Sequence, residues 1–202
     1  MEKINQLKQI FAKEKVDGYL IPKNDQFFGE YIPEYNDRLK YISNFSGSYG
    51  FSLILKNKNY LFVDGRYTLQ ANKQSGKNFK VITFPNKMPK DILKDKKLCI
   101  GFDPKLFTKK TLNNFFTNKN FKILPIENNL IDKIWKRVIK KNKDKFYVLP
   151  NNSVGTDYKS KVKKICSNLK KNGADYQFIT ACENNAWLLN IRGRDAKYSP
   201  IP

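Results

Sequence analysis

Apolar positions along this chain recur in two patterns, one at helical spacing and one as short continuous runs. In "MEKINQLKQIFAKEK", Ile4, Leu7, Ile10 and Phe11 alternate with charges at helical spacing, which predicts a helix over 2–15. "DGYLIP" at 17–22 predicts a strand. The polar-aromatic stretch "KNDQFFGEYIPEYNDRL" follows, and its Pro33 argues against one continuous helix. "RLKYISNF" predicts a helical turn or two, closed by the small-residue loop "SGSYG" at 46–50. "FSLILK" and "YLFVDG", separated by "NKN", predict a β-hairpin. A helix is then expected after Arg66, running to about Gln74, and "FKVITF" a strand stopped by Pro85. "KKLCIGFD" predicts another strand, and Thr108 the N-cap of a helix through about Asn118. "FKILPI" is a further strand, and "NNLIDKIW" starts a helix with Leu130, Ile131, Ile134 and Trp135 on one face. Hairpin and βα crossovers together predict an α/β fold, a mixed β-sheet flanked by helices.

The lysine-dense segment "KRVIKKNKDK", 136–145, reads either as a linker or as a solvated extension of the preceding helix. Beyond it, "FYVLP" predicts a strand and "DYKSKVKKICSNLKKNG" a helix ended by Gly173 at its C′ position. "DYQFITA" predicts a strand and "ENNAWLLNIRG" a helix ending at Gly193. This order of helix, Gly, Asp and strand repeats the opening one, so one architecture is expected twice. The expected division is a first domain at 1–138, a linker at 139–146 and a partial second domain at 147–202. A second copy of about 55 residues is marginal as a core, and it reads as unfinished.

Apolar residues make up 40% of the 202 positions, enough for a real core. The N-terminal spacing is not that of a signal peptide, and no run approaches the roughly 18 apolar residues of a membrane span. Cys99, Cys166 and Cys182 lack CxxC spacing and read as free thiols in a reducing compartment, hence cytoplasm. The net charge of +21 can attract nucleic acid or acidic membrane. However, only five basic residues are arginines, Arg38, Arg66, Arg137, Arg192 and Arg194, and the lysines are scattered along the chain among many asparagines. Base readers lean on the arginine fork, so nucleic acid is not the expected partner. There is no histidine. A Ser-His or Cys-His nucleophile is therefore excluded within these residues, and a zinc-type metal site lacks its usual ligands.

In "YLFVDGRYTLQA", Arg66 stands where a strand gives way to a helix, a common place for ligand contacts in α/β domains. The residues alone favour a solvated arginine after a turn. "FSGSYG" lacks a following Lys-Ser/Thr, so the phosphate-loop pattern fails and close backbone packing is expected. Asp25 and Glu30 read as part of a solvated loop, with a cleft edge as the sharper alternative. Cys99 and Cys182 lie in apolar contexts and are expected to be inert.

Six stretches in order, "YLIPKNDQFFGEYIP", "RLKYISNFSGSYG", "YLFVDGRYTLQA", "IGFDPKLFT", "ENNLIDKIW" and "AWLLNIRGRD", resemble the creatinase/prolidase family, most closely its three-domain Xaa-Pro aminopeptidases. The resemblance implies a first α/β domain, a similar second one of which only the start is present, and a missing pita-bread catalytic domain. That domain would carry two manganese or similar divalent ions on two Asp, two Glu and one His. No cofactor or metal is then expected on this chain, which alone should be inactive. The implied substrates are peptides with proline at position two, and the implied assembly is a homodimer in the cytoplasm, with no membrane. By resemblance, Arg66 of "DGRY" reaches the peptide substrate, Asp64 orients it, Gly65 permits the turn and Tyr67 supports it. "AWLLNIRGRD", with Arg192, Arg194 and Asp195, becomes a structural helix and loop, with Trp187 in the core. Phe27 stands where the family often has His, and Asn185 where it has an apolar residue, which suggests a helix turned toward solvent or a weaker core. Two other readings remain: a non-catalytic aminopeptidase-like module binding peptides or nucleic acid, and a creatinase or dipeptide-specific prolidase.

Overall fold

A computed structural model describes residues 1–29, 31–93, 97–116, 121–138, 144–194 and 198–201. The chain divides into two units, Met1–Ile139 and Lys140–Pro202.

The first unit opens with α1 (Glu2–Phe11) and β1 (Gly18–Pro22), followed by α2 (Arg38–Ser43). Next come β2 (Gly50–Leu55), β3 (Asn59–Asp64) and α3 (Thr68–Ser75), then β4 (Lys80–Phe84) and α4 (Pro89–Ile92). β5 (Leu98–Phe102), α5 (Lys109–Phe115), β6 (Phe121–Pro125) and α6 (Leu130–Ile134) complete it. The six strands form one mixed sheet in the order β4-β3-β2-β1-β5-β6. β2 is antiparallel to both neighbours and the remaining pairs are parallel, so five strands share one direction and β2 alone is reversed.

The continuous apolar runs are explained by burial on both faces: every residue of β1 and β2 is buried. On one face Ile4, Leu7 and Phe11 of α1, Leu39 and Ile42 of α2, Ala71 of α3 and Leu130 and Ile131 of α6 cover the sheet. On the other, Leu93, Leu106, Phe115 and Phe116 meet Phe51 and Phe62, whose rings stack at 4.5 Å. Phe115 stacks on the same Phe51 at 4.3 Å. Offset aromatic stacks of this kind add to area burial.

The first helix stops earlier than its pattern predicts. The α-helix proper ends at Phe11, and the chain closes through Lys15 at φ 55°, where Val16 N–H donates to Phe11 O at 3.0 Å. Lysine carries none of the left-handed preference that marks a glycine terminus, so the sequence gives no stop signal there. Thr108 caps α5 as expected, its Oγ1 accepting from Thr111 N–H at 3.1 Å; α5 ends at Phe115, and Asn118 lies outside the described residues. α6 ends at Ile134, and residues 136–138 carry no helix, so they do not extend it as a solvated helix.

Asp17 joins three elements just ahead of β1. Its carboxylate accepts from Cys99 N–H at 3.0 Å and from Lys56 Nζ at 2.8 Å. The Cys99 hydrogen bond, and then that of Lys56, hold its pKa below the usual carboxylate value. A depressed carboxylate contributes stability that is present above the unfolded pKa, about 3.9, and is lost as pH falls through the folded value. Urea titrations from pH 7 to pH 2 should therefore show wild type and Asp17→Asn separated at neutral pH and converging in acid as Asp17 takes up its proton. A gap that stays constant with pH would remove Asp17 from the acid response.

The second unit contains β7 (Tyr147–Val148), α7 (Tyr158–Lys171), α8 (Cys182–Leu189) and β8 (Ile191–Arg192), with β7 and β8 antiparallel. Asp157 caps α7, and Gly173, at φ 65°, ends it as expected. Gly173 N–H donates to Lys170 O and Ala174 N–H to Leu169 O, a complete Schellman closure. Three expectations are corrected here. "DYQFITA" is no strand: a strand needs a ladder partner, none pairs with it among the described residues, and Tyr176 and Phe178 are more than nine-tenths exposed. α8 stops at Leu189 rather than Gly193, because Asn190 turns left-handed and Ile191–Arg192 pair with β7. Trp187 is not core. Ala186 is the buried residue of α8, while the exposed Trp187 ring lies 4.1 Å beneath the Lys161 ammonium. Lys161 itself is buried and donates to Trp187 O and Asn190 Oδ1, both at 2.6 Å.

Candidate functional site

Because β1, β3, β4, β5 and β6 run the same way, their carboxyl ends share one edge of the sheet, the edge where open α/β folds place ligands. β3 delivers Asp64 to that edge, and Gly65–Tyr67 follow as a single 3-10 turn leading into α3. Asp64 is both the cap of this turn and the anchor of Arg66. Its Oδ1 accepts from Arg66 N–H at 2.9 Å and from Arg66 Nε at 2.8 Å, and Oδ2 lies 3.4 Å from a terminal guanidinium nitrogen. Arg66 has a 74% exposed side chain and keeps the far side of its fork toward solvent. The Arg66 hydrogen bonds hold the Asp64 pKa below the usual carboxylate value, and Asp64 in turn raises that of Arg66. Tyr67 lies 5.5 Å from the guanidinium, with its ring edge-on to buried Phe45 and its hydroxyl 2.7 Å from Ser48 Oγ. The result is a guanidinium fixed on one side and open on the other, able to meet a carbonyl or carboxylate oxygen with two N–H groups.

The structure thus brings Arg66, Asp64 and Tyr67 together. Gly65 has a different part from the one expected. Its φ is not in the left-handed region, and a Cβ there would meet Thr83 Cγ2 at an ordinary 3.7 Å, so neither backbone freedom nor close approach requires glycine. In "FSGSYG" close packing is indeed the reason for small residues. A Cβ at Gly50 would lie 2.7 Å from Phe62 O, and one at Gly47 2.2 Å from the Phe45 ring.

Asp25 is no solvated loop residue. It is 2% exposed and holds the turn after β1, accepting from Phe27 N–H at 3.0 Å and Asn36 Nδ2 at 3.1 Å. Phe28 adopts a left-handed φ of 54° there, costly for a bulky aromatic, and Phe27 and Phe28 are turned outward. Glu30 lies outside the described residues. Of the cysteines, Cys99 is partly buried with its thiol pKa pushed up by burial, while Cys182 is exposed rather than set in apolar surroundings. Asn185 is partly buried, its Nδ2 3.4 Å from Ile179 O. Arg192 donates to Ala186 O and Ile191 O, Arg194 lies over the Tyr147 ring, and Asp195 lies outside the described residues.

Sequence reasoning missed a charged cluster between β1 and α6. Lys23 pairs with Asp37, which also caps α2 by accepting from Lys40 N–H. Arg38 grips Asp132 through Nε and a terminal nitrogen, both at 2.8 Å, and Arg137 adds a third bond to the same carboxylate at 2.8 Å. The N-cap was the one readable signal, an Asp directly before "RLKYIS". Nothing in local spacing links Arg38 to a residue 94 positions away.

The family model described as the creatinase/prolidase N-terminal domain matches residues 3–134, and a second so described matches 138–202. The chain belongs to the creatinase/prolidase N-terminal domain family. It is 32% identical to a probable Xaa-Pro aminopeptidase P of Coprinopsis cinerea over 96% of its own length and 33% of the relative's. It is 30% identical to Xaa-Pro aminopeptidase 1 of Dictyostelium discoideum, over 99% of this chain and 35% of that one. The chain thus spans about a third of the length of the curated relatives it matches. Among solved structures it is similar to an X-prolyl aminopeptidase of Caenorhabditis elegans, described as a cytosolic enzyme with a di-nuclear active site. The TM-score is 0.86 and the identity 29%, over 99% of this chain and 36% of that one.

The residues present do not fit a dinuclear metal centre. The chain has no histidine, and among the described residues no group of three or more Asp, Glu, Cys or His side chains is placed to hold an ion. No metal-dependent step is assigned to them. Among the described residues no helix is long and apolar enough to cross a membrane.

Proposed function

We propose that this chain is the N-terminal, non-catalytic portion of a cytoplasmic Xaa-Pro aminopeptidase, which releases the first residue of peptides with proline second. The observation that carries this reading is the likeness to the C. elegans enzyme across both units, 99% of the chain at a TM-score of 0.86. In this reading residues 1–138 form the first domain, 139–146 a linker and 147–202 part of the second. These residues wall the substrate cleft and support a homodimer, and Arg66, oriented by Asp64 over Tyr67, holds a peptide oxygen. Two divalent ions, manganese by family resemblance, sit on residues beyond position 202.

The coding frame past codon 202 tests the reading. It is expected to complete the second domain and then supply two Asp, two Glu and one His able to bind a metal pair. A frame that continues without such a set contradicts the peptidase reading. A second reading, a non-catalytic binding module, is favoured by the +21 charge alone. It requires an affinity for duplex DNA or RNA that is sequence-selective and falls steeply with salt.

A further inference from the structure

On the face of the sheet covered by α5, a column of aromatic rings rises out of the core and ends beside Asp64. Gly50 pairs with Val63, so Tyr49, one residue before β2, comes level with Asp64. On the other side of β3, Asp64 pairs with Phe84 at the end of β4. Alternation along the strands puts Asp64 and Phe84 on the face of Phe62 and Ile82. The Tyr49 ring lies on that face too, since it meets the Phe84 ring at 5.7 Å across the end of β3. Phe84 in turn stands edge-on to Phe51 at 5.8 Å and to Phe115 at 6.3 Å, and those two rings are themselves stacked. Phe51 and Phe115 are buried, whereas Tyr49, at the top of the column, is 47% exposed.

Tyr49 and Arg66 flank one carboxylate. Asp64 holds Arg66 through Nε at 2.8 Å and leaves the outer N–H groups toward solvent. Neighbouring strands lie about 4.8 Å apart, which sets the distance from the Tyr49 backbone to that of Asp64. The Tyr49 phenol registers the same neighbour: its pKa is raised by burial first and then by the Asp64 charge. Tyr67 has a different place, with its ring against Phe45 in the core of the opposite face. The edge therefore offers a fixed N–H donor with a half-exposed, rigidly backed aromatic ring beside it. An acceptor oxygen with an apolar group a few ångströms away matches this pair. In a peptide, the carbonyl or carboxylate of a residue and that residue's own side chain have this spacing.

We propose that Tyr49 reads the side chain of the third residue of the substrate, favouring an aromatic or large aliphatic one, while Arg66 holds the carbonyl or carboxylate oxygen of that residue. This rests on the peptidase reading above. In that reading the metal pair beyond position 202 acts on the bond between residues one and two, so those residues are engaged there and the third is the first that this edge can take. An aromatic side chain gains most, because offset and edge-on ring pairs add to area burial. Glycine at the third position has no side chain for Tyr49 to meet.

The test uses the full-length protein and two tripeptides, Ala-Pro-Phe and Ala-Pro-Gly, with kcat and KM measured for each. Wild type should favour the phenylalanine peptide about three- to tenfold in kcat/KM, the range for one aromatic pair. The preference should lie mainly in KM, as for a contact made equally in the ground state and the transition state. Tyr49→Ala should bring the ratio of the two kcat/KM values close to one, chiefly by raising KM for the phenylalanine peptide. Tyr49→Phe should keep the ratio, since the ring and not the hydroxyl makes the contact. The ratio compares two substrates on one preparation, so partial loss of folded protein cancels from it. A ratio near one in wild type, or a ratio unchanged in Tyr49→Ala, overturns this inference, and cleavage of both peptides then leaves the peptidase reading standing. Cleavage of neither overturns both.

Discussion

Asp132→Ala is expected to destabilise the first unit by about 3–5 kcal/mol, lowering its melting temperature by roughly 10 °C. The Arg38 side chain is 6% exposed and meets Asp132 through two parallel 2.8 Å bonds. Removing the carboxylate strands a guanidinium that cannot turn to water, and the desolvation cost of that charge then stands unopposed. Arg137, with a 19% exposed side chain, relaxes toward solvent more easily and adds less. The pair also spans the chain, tying α2 to α6, so its loss loosens the helical layer over the sheet. Replacing both partners with apolar residues, Arg38→Met with Asp132→Leu, should recover most of the loss. Calorimetry on the three proteins decides. A shift under 2 °C for Asp132→Ala would mean that the buried arginine finds other acceptors.

In the peptidase reading proposed above, Arg66→Ala should have the opposite profile, leaving stability unchanged and lowering kcat/KM of the full-length protein about 10- to 100-fold. That range corresponds to about 1.5–3 kcal/mol, the worth of hydrogen bonds from a charged donor. Stability is untouched because the side chain is 74% exposed and its ion pair with Asp64 is local and solvated. Arg66→Lys should recover only part of the activity, since an ammonium cannot use the fork that Asp64 fixes. Asp64→Asn should act through the same contact, lowering kcat/KM by less than Arg66→Ala. Steady-state kinetics on a proline-second tripeptide, with melting curves alongside, checks all three. Loss of activity matched by loss of folded protein would make Arg66 a structural residue.

What was readable in the sequence follows from physics that is local. The hairpin, the buried strands and the Thr108 and Gly173 helix ends each depend on a few consecutive residues, and each lies where its pattern put it. "DGRY" was legible as a strand-to-helix junction, with Asp64 beside Arg66. Its proposed substrate role rests on resemblance, since an exposed arginine after a turn carries no chemical signature. The misreadings concern partners distant in the chain. "DYQFITA" has the composition of a strand, but composition does not supply the neighbour a ladder requires. Trp187 and Asp25 exchanged their expected places, the tryptophan outside against Lys161 and the carboxylate inside against Asn36. The Arg38–Asp132–Arg137 cluster joins residues brought together by the sheet order alone, beyond the reach of any local pattern.

The most direct measurement is release of the N-terminal residue from two peptides that differ only at position two, proline against alanine, by the full-length protein with a divalent metal. Release from the proline peptide, with the alanine peptide left intact, and loss of that activity on chelation, is the predicted result. Release from both, or from neither, would contradict the assignment of this chain to an Xaa-Pro aminopeptidase.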